Sequence, residues 1–290
     1  AKVGSLKISN FHGRIGKSDF IIDADIESVA KLMASDFKGK KVIQLKSNMM
    51  DLDELLEIQG KTAQTTEQPK TTEQHAKAFN IFDIPFPNLD IKTQIGRFKY
   101  KKYDFSQFNT TLRIQPNHYI YVDQLDMQTA GGKVNINGYF NGSDSKKIYF
   151  KSTIKADNLD LDRVFYKMDN FGQDYLVSEN VHGKITGIIQ SKVLMHPDLV
   201  INLRDTEAHI EATIKDGRLT NFPPFKMMDK FMGDKDLENV RFGELKNTLD
   251  VKSGNISIPK MEISSTLGYM MISGTQNFDK DLAMKYTLEV

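Results

Sequence analysis

Cysteine and tryptophan are both missing from the 290 residues. Without cysteine there is no disulfide, thiol nucleophile or cysteine metal site; the compartment stays open, because an exported chain can do without cysteine. A surplus of one charge is missing too. Lys plus Arg number 39 against 38 Asp plus Glu, a net charge of +1, so no global basic field points to nucleic acid. No window approaches the roughly 18 consecutive apolar residues of a spanning helix, and there is no secretory h-region. The chain opens on Ala1 without an initiator Met and stops at Val290 inside an expected strand, which reads as an excerpt of a longer protein. What is abundant is soft and aromatic: 18 Phe, 10 Tyr and 13 Met.

Alternation of apolar and polar residues dominates the chain and predicts strands. They are expected over 6–10, 18–24, 42–49, 89–98, 109–115, 119–127, 133–140, 146–155, 183–191, 198–203, 206–214, 245–251, 255–264, 267–274 and 282–290. In the 206–214 stretch Ala208, Ile210, Ala212 and Ile214 share one side, while His209, Glu211 and Thr213 share the other, and Asp216-Gly217 is expected to end the strand. Helical spacing predicts a two-turn helix over 26–33 and a capped turn over 51–56, with Asp51 as N-cap and Glu54 reaching back. A helix over 222–232 is expected to start at Asn221, with prolines in its first turn and Gly233 closing it. The pattern Leu-Asp-Leu-Asp-x-apolar-apolar around Asp160, and its counterpart Met-Asp-Leu-Asp-x-apolar-apolar around Asp51, make two repeats plausible, 1–145 and 146–290.

The stretch 61–78 holds almost nothing that can be buried, so ordering it would cost backbone entropy without return, and it is expected to be a disordered loop. An antiparallel sheet of about fifteen strands must curl, split or close. A closed barrel, a two-sheet sandwich and a long open sheet bent into a trough are the outcomes compared.

Chemistry has few candidates. The six histidines lack the i, i+4 spacing of zinc hydrolases, and the Asp-Leu-Asp triplets are explained by helix capping. No nucleophile elbow, P-loop or dinucleotide fingerprint occurs, so no catalytic residue, metal site or cofactor is expected, and the chain is read as not an enzyme. Phe98 to Tyr103 interleaves aromatics with lysines, which suits a guarded edge strand, a nucleic-acid contact or a lipid head-group contact. The more informative feature is distributed over many strands: apolar faces with few helices to cover them. Those faces must meet another layer or something apolar that is not protein. Val134, Ile136, Phe150, Ile185, Ile189, Ile210, Ile214, Leu249, Val251, Met271, Tyr286 and Leu288 are the residues expected to line the apolar side, with Phe222, Phe225, Met228, Phe231 and Met232 capping or gating one end.

Two stretches resemble the AsmA family. Ile210 to Pro224 is similar to its C-terminal run of amphipathic strand, glycine turn, Asn-Phe-Pro-Pro and short helix, and Ile263 to Thr275 to its closing hairpin. Leu125 to Gly138 resembles its apolar-small-Gly-Gly hairpin, and the likeness runs from about Ser18 to the end. The resemblance implies a mainly β protein, a long curved antiparallel β-sheet forming a groove with a few short α-helices. It further implies a periplasmic location in a Gram-negative bacterium, an inner-membrane anchor outside this chain, and a role in outer-membrane biogenesis. In that reading the groove binds or conducts phospholipid acyl chains as bridge-like lipid transfer proteins do; the inner and outer membranes are met through other parts, and nucleic acid is no partner. The chain departs from the family by lacking the N-terminal helix and by carrying the polar insertion at 61–78. A structural or assembly scaffold for outer-membrane proteins is the alternative, and a carbohydrate-active β-solenoid enzyme ranks last for want of paired carboxylates among aromatics.

Limited trypsin digestion is expected to cut first at Lys61, Lys70 or Lys77; first cuts inside an expected strand would overturn the loop assignment.

Overall fold

A computed structural model describes residues 4–57, 79–172, 174, 176–226, 233–277 and 285–289. The expected loop at 61–78 lies outside the described residues. The protein is mainly β. Alternation yields long strands of nine to thirteen residues: β1 (Leu6–Ile15), β2 (Ser18–Ile26), β3 (Lys41–Asp51), β4 (Leu89–Tyr100), β5 (Tyr103–Gln115), β6 (Tyr119–Thr129), β7 (Gly132–Asn141) and β8 (Ile148–Asp160). These are followed by β9 (Val181–Met195), β10 (Ile201–Thr220), β11 (Asn239–Phe242), β12 (Leu245–Lys252), β13 (Asn255–Ser265), β14 (Gly268–Asn277) and β15 (Lys285–Glu289). They join one hydrogen-bonded sheet in sequence order, except that β12 pairs with β10 and β13 beside the main path. Among the described residues the helical pieces are short: residues 52–57 (α1), Leu161–Lys167 (α2) and Pro223–Lys226 (α3).

The sheet is mixed, which corrects the expectation of purely antiparallel pairing. β4 lies parallel to β3, with Ile43 opposite Ile91 and Ser47 opposite Ile95. The chain leaves β3 through α1 and re-enters β4 from the other end, the long return that parallel neighbours require. Asp51 does cap α1, its Oδ1 accepting the Glu54 amide at 3.3 Å. Glu54 does not reach back; its carboxylate accepts the Lys17 amide at 2.7 Å, and the Asp51 amide bonds Ser18 Oγ instead.

Contacts divide the chain into two compact units, 1–128 with 136–150 and 195–201, and 129–135 with 151–194 and 202–290. In the first unit, direct pairing sets Ala24, Ile43, Ile91, Leu112 and Val122 in one apolar row across five strands. Ile81, Phe86 and Ile148 are buried in a core with Phe82, Ile114, Ile120, Phe140 and Met195 packed on it. The cover comes from a 3-10 turn, Ile81–Asp83, whose cap Asn80 accepts the Phe82 amide.

The expected helix over 26–33 is a single 3-10 turn, Val29–Lys31, and Ile26 is the last residue of β2. The carbonyls just beyond that turn are taken by a tertiary partner. The Asn88 amide donates to Leu32 O at 2.5 Å, and Asn88 Nδ2 donates to Ala34 O at 3.0 Å and Phe37 O at 3.2 Å.

Among the described residues the second unit has two cores. Phe225, Leu237, Val240, Ile263, Leu267 and Met270 are buried in one, and Leu161, Phe165 and Val181 in the other; Leu219 packs on both. The turn expected at Asp216-Gly217 is not a strand end. β10 runs through it for 20 residues, with Asp216 at φ 53°, and changes partner from β12 (208–214) to β11 (217–220). Gly217 is needed there because a Cβ would sit 1.9 Å from the Phe242 ring.

Asn88 is 3% exposed, and removing its side-chain amide deletes the bonds to Ala34 O and Phe37 O and the acceptor of Lys41 Nζ. Asn88→Ala is expected to lower unfolding stability by about 2 kcal/mol in urea titration; a loss below about 0.5 kcal/mol would contradict the role assigned to it.

Candidate functional site

The apolar side of the second unit is built by cross-strand pairs. On β10 and β12, Ile210 faces Leu249, Ala208 faces Val251 and Ile214 faces Leu245. Ile185 and Ile214 pack on the core formed by Leu161, Phe165 and Val181, so α2 covers that end of the face. Ile189 follows Ile185 by four residues on β9 and therefore shares its face. Away from α2, Ile189, Ile210 and Leu249 are half-buried, whereas Val251 and Val134 are buried.

In the first unit, Ile136 shares the face of Phe140, and Phe150 that of Ile148, so both extend the apolar side of that core while staying half-buried. Met271 is placed elsewhere. It pairs with Glu262, on the face opposite Met270 and Ile272, which join the buried core with Met261 and Ile263. Tyr286 pairs with Gly274 and Leu288 with Ile272 in the backbone register of β15; their side chains lie outside the described residues.

The helix expected to gate one end begins differently. Asn221 is not its N-cap: it sits at φ 50°, its amide bonded to Glu238 O at 2.8 Å, and α3 starts at Pro223. Phe222 and Phe225 meet edge to face at 5.2 Å, and Phe225 is 3% exposed in the core. This first turn is thus built into the core as a cover. Met228, Phe231 and Met232 lie outside the described residues.

Sequence reasoning missed Leu237, Val240, Leu245, Met261 and Met270. The four-residue β11 is too short for periodicity to signal, and the parity of β13 is reset by a register shift between Ile258 and Met261.

The opposite face of the same strand pair is charged. His209 faces Asp250, with Nδ1 2.7 Å from Oδ1, and its Nε2 lies 3.7 Å from Glu211. Among the described residues no group of three or more His, Cys, Asp and Glu could hold a metal ion, and no helix is long and apolar enough to cross a membrane. The concave site described in the first unit is polar, about 590 Å³ between β3, β4, β5 and β6.

Compared with protein-family models, curated proteins and solved structures, the chain matches none.

The hydrogen bond to Asp250 raises the His209 pKa above its ordinary 6.5. Stability from this pair is therefore fully present below about pH 6.5 and is lost as pH rises through the higher folded value. An NMR titration of the imidazole is expected to give a midpoint above 6.5 that falls in Asp250→Asn; a midpoint at or below 6.5 in the unmodified chain would refute it.

Proposed function

We propose that this chain binds the acyl chains of phospholipid along the apolar side of its sheet, as part of an AsmA-like protein of the periplasm anchored in the inner membrane through segments outside this chain. The observation that carries the reading is the half-buried Ile189, Ile210 and Leu249 beyond the cover of α2. Water contact there is costly, and an acyl chain relieves it without asking for hydrogen bonds, gaining about 0.8 kcal/mol per buried methylene. The strand pairing supports a one-sided surface, because Ile210 faces Leu249 and its neighbour His209 faces Asp250. Sequence resemblance supplies the family, the compartment and the role in outer-membrane biogenesis, in which lipid is conducted along a groove of this sheet. Short helices at the ends act as covers.

A scaffold for outer-membrane proteins is the second reading. It is favoured by the exposed Leu199, Val200 and Ile201 at the β9–β10 turn, apolar side chains placed where a protein partner could bury them.

A photo-crosslinking residue at Ile210 or Leu249, introduced in the producing cell, is expected to yield phospholipid adducts, with phospholipid also recovered by solvent extraction and mass spectrometry. Protein adducts from these positions together with lipid-free protein would replace the lipid reading with the scaffold.

A further inference from the structure

The polar side of the first unit carries a concave site that the lipid reading leaves unused. Direct pairing lays out two cross-strand rows there. Gln44 faces Lys92, Lys92 faces Thr111 and Thr111 faces Gln124; one step along, Lys46 faces Gln94, Gln94 faces Asn109 and Asn109 faces Asp126. All eight line the concavity of about 590 Å³. Its floor is firm, because Thr93 and Thr110 beneath it are each 8% exposed and Thr110 Oγ1 bonds Gln124 O at 3.0 Å.

Polar groups on most of this face satisfy one another. Arg113 makes two bonds to Asp123, at 2.7 and 2.8 Å, Arg97 pairs with Asp104, and Asp19 accepts from Asn48 and Met49. Inside the concavity the pattern changes. The side chains of Gln44, Lys46, Lys92, Gln94 and Thr111 have no hydrogen bond or ion pair among the described residues, while Gln124 bonds Asp126 and Asn109 bonds Gln107 O. Unpartnered amides, a hydroxyl and ammonium groups are gathered on three neighbouring strands.

We infer that the Gln44–Asp126 concavity is a binding site for a carbohydrate chain. A sugar hydroxyl both donates and accepts, and a carboxamide offers two N–H donors and a carbonyl acceptor, so amide-rich linings suit polyols. Strands about 4.8 Å apart put successive polar groups at the spacing of one sugar ring, and a row across four strands spans about 14 Å, the length of two or three rings. Charge argues against an anion as ligand: Lys46 and Lys92 stand beside Asp23, which pairs with Gln44, Asp90, two residues before Lys92, and Asp126 in the lining itself. Nucleic acid is disfavoured by the same balance and by the absence of any aromatic side chain in the lining. On the same strand pair the Arg113 guanidinium lies 4.7 Å over the Tyr121 ring, and Tyr119 stacks on Tyr121 at 5.9 Å and on Tyr139 at 6.4 Å.

The test is a two-dimensional NMR titration of the 290-residue chain with cellohexaose, chitohexaose and, separately, inorganic phosphate. Saturable shifts of the side-chain amides of Gln44, Gln94 and Gln124 with at least one hexasaccharide are expected, weakened at least tenfold in Gln94→Ala/Gln44→Ala while the melting temperature stays unchanged. No saturable shift with either sugar, equal affinity in the variant, or phosphate binding tighter than both sugars would overturn the proposal. A variant that fails to fold is replaced by Thr111→Val, for which the same tenfold loss is required.

Discussion

Cross-strand register is the constraint on which the rest of this structure depends. Side chains alternate along each strand, so a pairing such as Ile210 with Leu249 necessarily puts His209 opposite Asp250 on the other side. Repeated from β2 to β6, the same rule turns short apolar alternations into the continuous row from Ala24 to Val122. A slip of one residue anywhere would expose that row and bury Lys92 and Gln94, so each pairing is held by its neighbours.

The cost of this arrangement is apolar surface, and each unit reduces it with little material. In the first, a 3-10 turn sets Ile81 and Phe86 against Ile148, and Asn88 ties the covering segment to the carbonyls of Leu32, Ala34 and Phe37. In the second, α2 and α3 bring Phe165 and Phe225 onto the ends of the strands. Among the described residues such covers are short. They leave half-buried aliphatic side chains further along, and the lipid reading rests on those; the polar side is left free for a second ligand of opposite character.

Much of the fold was legible because period-two alternation is a local signal. Most strands were expected close to where they lie, and Asp51 was recognisable as a cap. The failures share one physical origin, the dependence of a local outcome on a distant partner. β10 continues past Asp216 because β11 takes over its edge and Phe242 fills the space above Gly217. The segment that follows the turn at Val29 is held by Asn88, which is remote in sequence and bonds the carbonyls of Ala34 and Phe37. Of the candidate site, Ile185, Ile189, Ile210, Ile214, Leu249 and Val251 share one face, whereas Met271 lies on the face opposite Met270 and Ile272, which enter the core.

The sequence by itself determined that this is a mainly β chain with one apolar and one polar side to most strands, since alternation is written residue by residue and needs no partner to be read. Only the tertiary structure decided which strands became neighbours, that β3 and β4 run parallel, and that Gln44, Lys92, Thr111 and Gln124 stand in one row. Those outcomes depend on pairings between residues far apart along the chain. Their energies come from burial and hydrogen bonds that exist only once both strands are in place.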